Sequence, residues 1–135
     1  MIVYYIMEKI NTAIISNVRK LRCAYRILFE HDSQSPARIV LEGPSIETVG
    51  SQLFYPDEIA LLLIDYRIVY KDSRLFFSFT HDYFPDTPIV LLVEKEQFSA
   101  SQRCRHDIDA ILVIDSDPSN MFSLIRGIPI CPSLM

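Results

Sequence analysis

The sequence predicts an α/β domain in which five parallel strands form one doubly wound sheet with helices on both faces, in the order (βα)₅. Short apolar runs of strand length alternate five times with segments of helical period. Such alternation favours a parallel sheet, whose strands are buried on both faces. The 135 residues, half of them hydrophobic, suffice for one domain with its own core.

The N-terminal part is predicted to hold a strand and a long helix. The apolar run at residues 2–6 reads as the first strand. After it, apolar residues recur at steps of three or four, which predicts one helix over about residues 8–29. The residues of this pattern are Ile10, Ile14, Val18, Leu21, Tyr25 and Leu28.

The other elements follow in order. "ARIVLEG" predicts the second strand, and Ser45 is placed to cap a short helix through Ile46, Val49 and Leu53. "IALLLID" predicts the third strand, "SRLFFSFTHDYF" the third helix and "TPIVLLV" the fourth strand. Residues 96–107 have few apolar residues and predict only a marginal helix. "DAILVI" predicts the fifth strand, before a last helix that begins near Pro118.

Composition and charge exclude several classes of function. The formal net charge of −4 gives no general attraction to nucleic acid. No apolar run approaches the roughly 18 to 20 residues that span a bilayer, and the N-terminus lacks the basic region of a signal peptide. We therefore expect a cytoplasmic protein without membrane contact. The three cysteines, Cys23, Cys104 and Cys131, show no zinc or disulfide spacing, so reduced thiols are expected.

The sequence contains no motif of a known catalytic or nucleotide-binding site. Neither GxGxxG nor GxxxxGK[ST] is present, and no GxSxG elbow occurs. The three histidines, His31, His81 and His106, share no metal-ligand spacing. We therefore expect no enzyme activity, no metal site and no cofactor.

Three segments resemble one family of bacterial signalling domains. They are "EGPSIETVGSQLFYPDEIALLLIDYRI", "YFPDTPIVLLVE" and "DIDAILVIDSDPSNMFSLIRGI". In this order and spacing they resemble a response-regulator receiver domain of the flavodoxin-like fold, of the kind found in NarL/LuxR-type transcription regulators. The resemblance covers essentially the whole chain. It implies a receiver-like domain over residues 1–128 and a C-terminal tail, or the start of a linker, over residues 129–135.

The resemblance implies a phosphorylation site at the ends of the strands. A working receiver phosphorylates an aspartate that ends its third strand, and Asp65 occupies that position. The family uses an acidic pair for Mg²⁺ after the first strand, where this chain is predicted to have Met7 and Glu8. The hydroxyl position of the fourth strand is Val93, and the lysine position of the fifth is Ile114. We therefore expect Asp65 to be vestigial as a phosphoacceptor, with a role in capping a loop.

These observations predict an atypical receiver, a pseudo-receiver that acts by protein–protein interaction in transcriptional regulation. The alternative is a functional phosphoacceptor of a two-component system, in which Asp65 and Glu8 would hold Mg²⁺ and Arg67 or Lys95 would supply charge. A third hypothesis places a small ligand at the strand ends, in a pocket made less polar by Val93 and Ile114.

The predicted partner is a transcription regulator or a second copy of the chain, without nucleic-acid contact by this domain alone. A basic ridge on the first helix either is a solvated face that complements the helix dipole or binds an acidic partner. Apolar residues of the last helix are predicted to contribute to the same partner or dimer surface. The residues chosen for this surface are Arg19, Arg22, Arg26, Met121, Phe122 and Ile125.

Overall fold

The structure is a computed structural model, and it describes residues 9–52, 58–69 and 71–130. In this part of the chain five strands form one parallel sheet in the order β2-β1-β3-β4-β5. The strands are β1 (Ile10–Ile15), β2 (Ala37–Gly43), β3 (Leu61–Asp65), β4 (Ile89–Val93) and β5 (Ala110–Val113). The predicted fold class is confirmed.

The helices of the described residues follow the strands in alternation. They are α1 (Arg19–His31), α2 (Ile46–Gly50), α3 (Ser73–Tyr83), α4 (Phe98–Ser101) and α5 (Pro118–Arg126). Ser45 caps α2 by accepting a hydrogen bond from the backbone N–H of Thr48, as predicted. Leu53, predicted to continue α2, lies outside the described residues. No helix among the described residues combines the length and the apolar character needed to cross a membrane.

The sheet separates two layers of core because side chains alternate along each strand. On one face, Leu61 and Leu63 of β3 pack with residues of α1 and α5. On the other face, Leu62 and Ile64 pack with residues of α2 and α3. All five residues of β3 and all five of β4 are buried, which accounts for their continuous apolar runs.

The predicted N-terminal helix over residues 8–29 is wrong in its first part. Residues 10–15 form β1, which lies between β2 and β3, and α1 begins only at Arg19. Ile10 and Ile14 satisfied the helical spacing, but they are strand residues, and Ile14 is fully buried in the core. The strand predicted at residues 2–6 lies outside the described residues.

The apolar residues assigned to a partner surface on the last helix are core residues. Met121 and Phe122 are each 2% exposed and Ile125 is fully buried, in the layer between α5, α1 and the sheet. Their stripe covers the sheet, because the apolar face of a surface helix normally packs onto its own core. None of the three can form a contact surface while this packing is intact.

The segment between β4 and β5 is helical only in short pieces, which confirms the predicted marginal helix. Two 3₁₀ turns, Lys95–Gln97 and Gln102–Cys104, flank the four residues of α4. Cys104 anchors the segment in the core, whereas Phe98 is 46% exposed. Cys23 and Cys104 are free thiols in the structure, and Cys131 lies outside the described residues.

Candidate functional site at the strand ends

The ends of β1 and β3 lie side by side because these two strands pair directly. The chain leaves β1 toward one edge of the sheet and β3 toward the other, and ligand sites of open α/β sheets lie at such a switch point. Ser16 follows β1 and Asp65 ends β3. Both residues are fully buried, so they face each other without intervening solvent.

The carboxylate of Asp65 is engaged on both of its oxygens. Oδ2 accepts a hydrogen bond of 2.6 Å from the hydroxyl of Ser16. Oδ1 accepts from the backbone N–H of Arg67 at 2.9 Å and from its Nε at 3.0 Å. The Nη2 atom of Arg67 lies 2.9 Å from Oδ2. A carboxylate offers about four lone-pair directions. These donors therefore fill the positions from which Asp65 could bind a further group.

Arg67 links the buried carboxylate to the surface. Its guanidinium forms a bidentate ion pair with Asp65, while Nη1 donates to Oε1 of Glu94 at 3.1 Å. The side chain of Arg67 is 30% exposed and that of Glu94 is 47% exposed. The hydrogen bond to Asp65, helped by the charges of Asp65 and Glu94, raises the pKa of Arg67 against the opposing effect of burial. Arg67 is therefore a permanent cation on the carboxylate.

The local backbone explains why Arg67 reaches Asp65. The 3₁₀ turn Tyr66–Ile68 begins directly after β3, and Asp65 is its N-cap. This turn places the backbone N–H and the side chain of Arg67 on the same carboxylate two residues earlier. The predicted role of Asp65 as a loop cap is confirmed.

Ser16 is itself held in place by α1. Its hydroxyl oxygen accepts a hydrogen bond of 3.0 Å from the backbone N–H of Val18, and its carbonyl accepts one of 2.5 Å from Nη1 of Arg22. The hydroxyl proton is then directed to Asp65. Arg22, Ser16 and Asp65 form a connected polar path from α1 to the end of β3.

The position of the family's acidic pair is corrected by the observed β1. Since the strand ends at Ile15, the two residues that follow it are Ser16 and Asn17, and neither is acidic. Met7 and Glu8, which had been assigned to this position, precede β1 and lie outside the described residues. Among the described residues, the loop directly after β1 therefore begins with a hydroxyl and an amide side chain.

The neighbouring strand ends carry the apolar residues expected there. Val93 ends β4 and is fully buried. Ile114 follows β5 and donates its backbone N–H to the carbonyl of Val93 at 2.7 Å. A shallow cavity of about 510 Å³ adjoins them, lined by residues 94–96 and 113–116. Lys95 lines this cavity, whereas Arg67 is the residue that reaches Asp65.

The donors at this edge do not fit a Mg²⁺ ion. Mg²⁺ requires near-octahedral oxygen coordination with carboxylate ligands. Asp65 is saturated by Ser16 and Arg67, and Glu94 is paired with the same Arg67. Within the described ranges, no group of three or more His, Cys, Asp or Glu side chains is arranged to hold a metal ion.

Tyr25 of α1 lies near this network without joining it. Its side chain is 6% exposed, and its hydroxyl oxygen has no hydrogen-bond partner within the described part of the chain. Burial, followed by the negative charges of Asp115 and Asp65, raises the pKa of Tyr25 to about 12. The hydroxyl is therefore kept in its neutral form.

The basic ridge on α1 is partly a structural feature. Arg22 and Arg26 both pair with Glu42 of β2, at 3.3 and 2.5 Å. Of the three arginines assigned to a partner surface, Arg19 is exposed and forms no ion pair with a described residue. Two of the charges predicted to attract an acidic partner already hold α1 to the sheet edge.

Sequence reasoning named Asp65 and suggested Arg67 as a source of charge, but it missed Ser16. Ser16 was missed because the first strand was predicted at residues 2–6, so Ser16 fell inside the predicted helix. A signal was available in "INTAIISN", where a β-branched apolar run ends in two residues that favour helix starts. A helix of 22 residues, 8–29, would also have been unusually long for a small domain.

Comparison with known proteins identifies the fold of the chain through similar solved structures. No protein-family model and no curated protein matches the sequence. The receiver domain of AraT, a response regulator from Geobacillus stearothermophilus, matches with a TM-score of 0.68 at 14% identity, over 88% of this chain and 92% of that chain. RcsB from Salmonella enterica serovar Typhimurium, solved on the promoter rprA with phosphomimetic BeF₃⁻, matches with a TM-score of 0.66 at 16% identity, over 88% of this chain and 67% of that chain.

The fold is therefore that of response-regulator receiver domains. A pilus assembly-related protein from Burkholderia pseudomallei also matches, with a TM-score of 0.68 at 12% identity, over 93% of this chain and 92% of that chain. Since proteins described so differently share the fold, function has to be argued from the site.

Proposed function

We propose that this protein is a pseudo-receiver, which acts by binding another protein in bacterial transcriptional regulation and does so independently of phosphorylation. We further propose that it works in the cytoplasm and that its partner is a transcription regulator or a second copy of the chain. The fold supports the receiver part of this proposal. The state of Asp65 supports independence from phosphorylation.

The observation that carries the proposal is the saturation of Asp65. Attack on a phosphodonor requires a carboxylate oxygen with a free lone pair that faces the donor. Both oxygens of Asp65 are instead occupied by Ser16 and Arg67, and the carboxylate is fully buried. Displacing Arg67 would leave a buried charge uncompensated, which typically costs several kcal/mol.

The surroundings of Asp65 support the same conclusion. The end of β1 supplies the hydroxyl of Ser16 where a metal-binding receiver would supply carboxylates. Val93 offers no hydroxyl to a phosphoryl oxygen, and Ile114 offers no cation. Removing one preorganised charge donor typically lowers a rate by about 10² to 10³. A domain without a phosphoryl input keeps one conformation unless a partner prefers another.

One contact favours a second candidate function, that of a phosphoacceptor with a rearranged site. The guanidinium of Arg67 already lies on Asp65, and a cation in this place could stabilise a phosphoryl group attached there. This candidate requires the guanidinium of Arg67 to release one oxygen of Asp65 for attack while it stays close enough to bind the phosphoryl group.

Treatment with Mg²⁺ and acetyl phosphate, followed by intact-mass spectrometry, distinguishes the two functions. If the protein is a pseudo-receiver, the treatment leaves the mass of the wild type and the mass of Asp65→Asn each unchanged. A phosphorylatable receiver treated in parallel gains one phosphoryl group. A phosphoryl gain in the wild type that is absent from Asp65→Asn would establish the phosphoacceptor.

A further inference from the structure

An apolar groove of about 450 Å³ lies between the first residues of α2 and the first two turns of α3. Its buried part is formed by Ile46, Ile68 and Phe76, which belong to the core. Leu75 and Phe79 also line it, and they are 68% and 37% exposed. The volume lies within the roughly 300–1,000 Å³ of ordinary binding sites.

The C-terminal ends of α2 and α3 come into close contact beyond the groove. A Cβ atom built at Gly50, the last residue of α2, would lie 2.3 Å from the ring of Tyr83, the last residue of α3. The absence of a side chain at Gly50 permits this close contact. The N-terminal ends of the two helices leave the space that forms the groove.

The exposed residues indicate an occupant larger than a small molecule. Leu75 and Phe79 are four residues apart and therefore lie on the same face of α3. Leu75 lines the groove but is 68% exposed, so an occupant has to extend beyond the buried residues Ile46, Ile68 and Phe76 to cover it. An amphipathic helix laid along the groove would cover both residues, in the way that such helices bind between two helices of a partner.

The charged residues indicate the polarity of the occupant. Both charged side chains that line the groove are acidic, Glu47 of α2 and Asp72 at the start of α3. Asp72 caps α3 through the backbone N–H of Leu75, and Glu47 is exposed. Neither forms an ion pair with a described residue. Complementary charge on a partner would be basic.

We infer that this groove binds a protein partner through an amphipathic helix whose large apolar side chains, three or four residues apart, are flanked by lysine or arginine. The inference rests on the proposed function, because a domain without a phosphoryl input acts through its surfaces. It names a binding surface on α2 and α3, on the opposite face of the sheet from α1 and α5.

Selection of peptides from a phage-displayed random library on the intact protein tests the inference. Selected peptides are synthesised with a fluorescent label, and their Kd is measured by anisotropy. We expect apolar pairs at the stated spacing with flanking basic residues. Leu75→Glu should raise the Kd at least about tenfold. Ile27→Glu, at an exposed apolar position on α1 that is 51% accessible, is the control and should leave the Kd unchanged.

The charge requirement is tested separately. Glu47→Gln and Asp72→Asn should each raise the Kd several-fold, and added salt should do the same for the wild type. Asparagine is also a good N-cap, so Asp72→Asn removes the charge without removing the cap of α3. Circular dichroism verifies that each variant is folded.

The outcomes that overturn the inference are specific. They are a failure to select peptides, selected peptides without basic residues, and binding that Leu75→Glu leaves intact. Sedimentation that detects a dimer lost in Leu75→Glu would make a second copy the occupant. If no peptide binds but a hydrophobic dye does, and Leu75→Glu abolishes the binding of the dye, the occupant of the groove would be a small molecule. Phosphorylation of Asp65 refutes the proposed function instead, whatever the peptides do.

Discussion

The guanidinium of Arg67 lies across the buried carboxylate of Asp65, with Nη2 2.9 Å from Oδ2 and Nε within 3.1 Å of both oxygens. The two residues are separated by one position in the chain, and the 3₁₀ turn after β3 brings them together. The cation therefore belongs to the fold of this loop. It neutralises a charge that the sheet would otherwise bury.

Arg67→Ala should destabilise the protein by about 2 kcal/mol. The value is below the roughly 3–5 kcal/mol of a fully buried pair because the side chain of Arg67 is 30% exposed. Urea unfolding of Arg67→Ala, Asp65→Asn and the double variant measures the coupling. The double variant should lose less than the sum of the single losses, since Asp65→Asn removes the charge that Arg67 compensates.

Glu94→Gln is the control for this pair. Glu94 also contacts Arg67, but it is 47% exposed, so its loss should cost no more than about 0.5 kcal/mol. Strict additivity of Arg67→Ala and Asp65→Asn would mean that the contact contributes nothing to stability, and the description of Asp65 as a compensated structural charge would then be abandoned.

The order of strands and helices was predictable from β2 onward, because each apolar run there is bounded by turn residues or a proline. "ARIVLEG" coincides with β2, and "SRLFFSFTHDYF" begins where α3 does. The first strand was not predictable in the same way. β1 is buried on both faces and lacks alternation, so Ile10 and Ile14 could be read as the start of the α1 pattern.

The misplaced first strand also led to the wrong residues being predicted for the site. With the strand placed at residues 2–6, the loop after it held Met7 and Glu8, whereas the loop beside Asp65 holds Ser16. The local sequence pattern predicts that Asp65 ends β3, but it does not predict that Ser16, after β1, faces it. That second residue is fixed by pairing between β1 and β3, which are far apart in the chain.

Phe122→Ala should destabilise the protein by roughly 3–5 kcal/mol, the usual cost of removing a buried ring. Phe122 is 2% exposed and packs edge-on against Phe29 of α1, with ring centroids 5.7 Å apart. Thermal and urea unfolding measure the loss. Ile27→Ala, at a position 51% exposed, is the comparison and should change stability by no more than about 0.5 kcal/mol. A small loss of stability for Phe122→Ala would contradict its buried position and support the surface position that the sequence predicted.

Tyr25→Phe should leave stability at neutral pH unchanged or slightly higher, because the hydroxyl that it removes is buried without a partner in the described chain. Its effect at alkaline pH should be larger. The pKa of Tyr25 is raised to about 12 in the folded state, mainly by burial, against about 10 for an exposed tyrosine. Between these values the unfolded chain loses the proton first, so the wild type loses stability as pH rises.

The alkaline loss due to Tyr25 should be on the order of 2 kcal/mol by the time the pH reaches the folded pKa. It is measured as the difference between the urea-unfolding free energies of the wild type and Tyr25→Phe across the alkaline range. The other tyrosines, the cysteines and the lysines titrate in both proteins and cancel in this difference. A difference that stays constant with pH would show that the Tyr25 hydroxyl ionises as readily folded as unfolded.

Gly50→Ala should destabilise the protein by about 1–3 kcal/mol, although alanine favours helices more than glycine. The added Cβ would lie 2.3 Å from Cδ1 of Tyr83, so α2 and α3 must separate or the ring must rotate away. Urea unfolding gives the loss. Tyr83→Ala removes the obstructing ring, so in that background Gly50→Ala should cost little or become favourable. If Gly50→Ala costs the same with and without the ring, the close contact between the two helices is not the reason for glycine at this position.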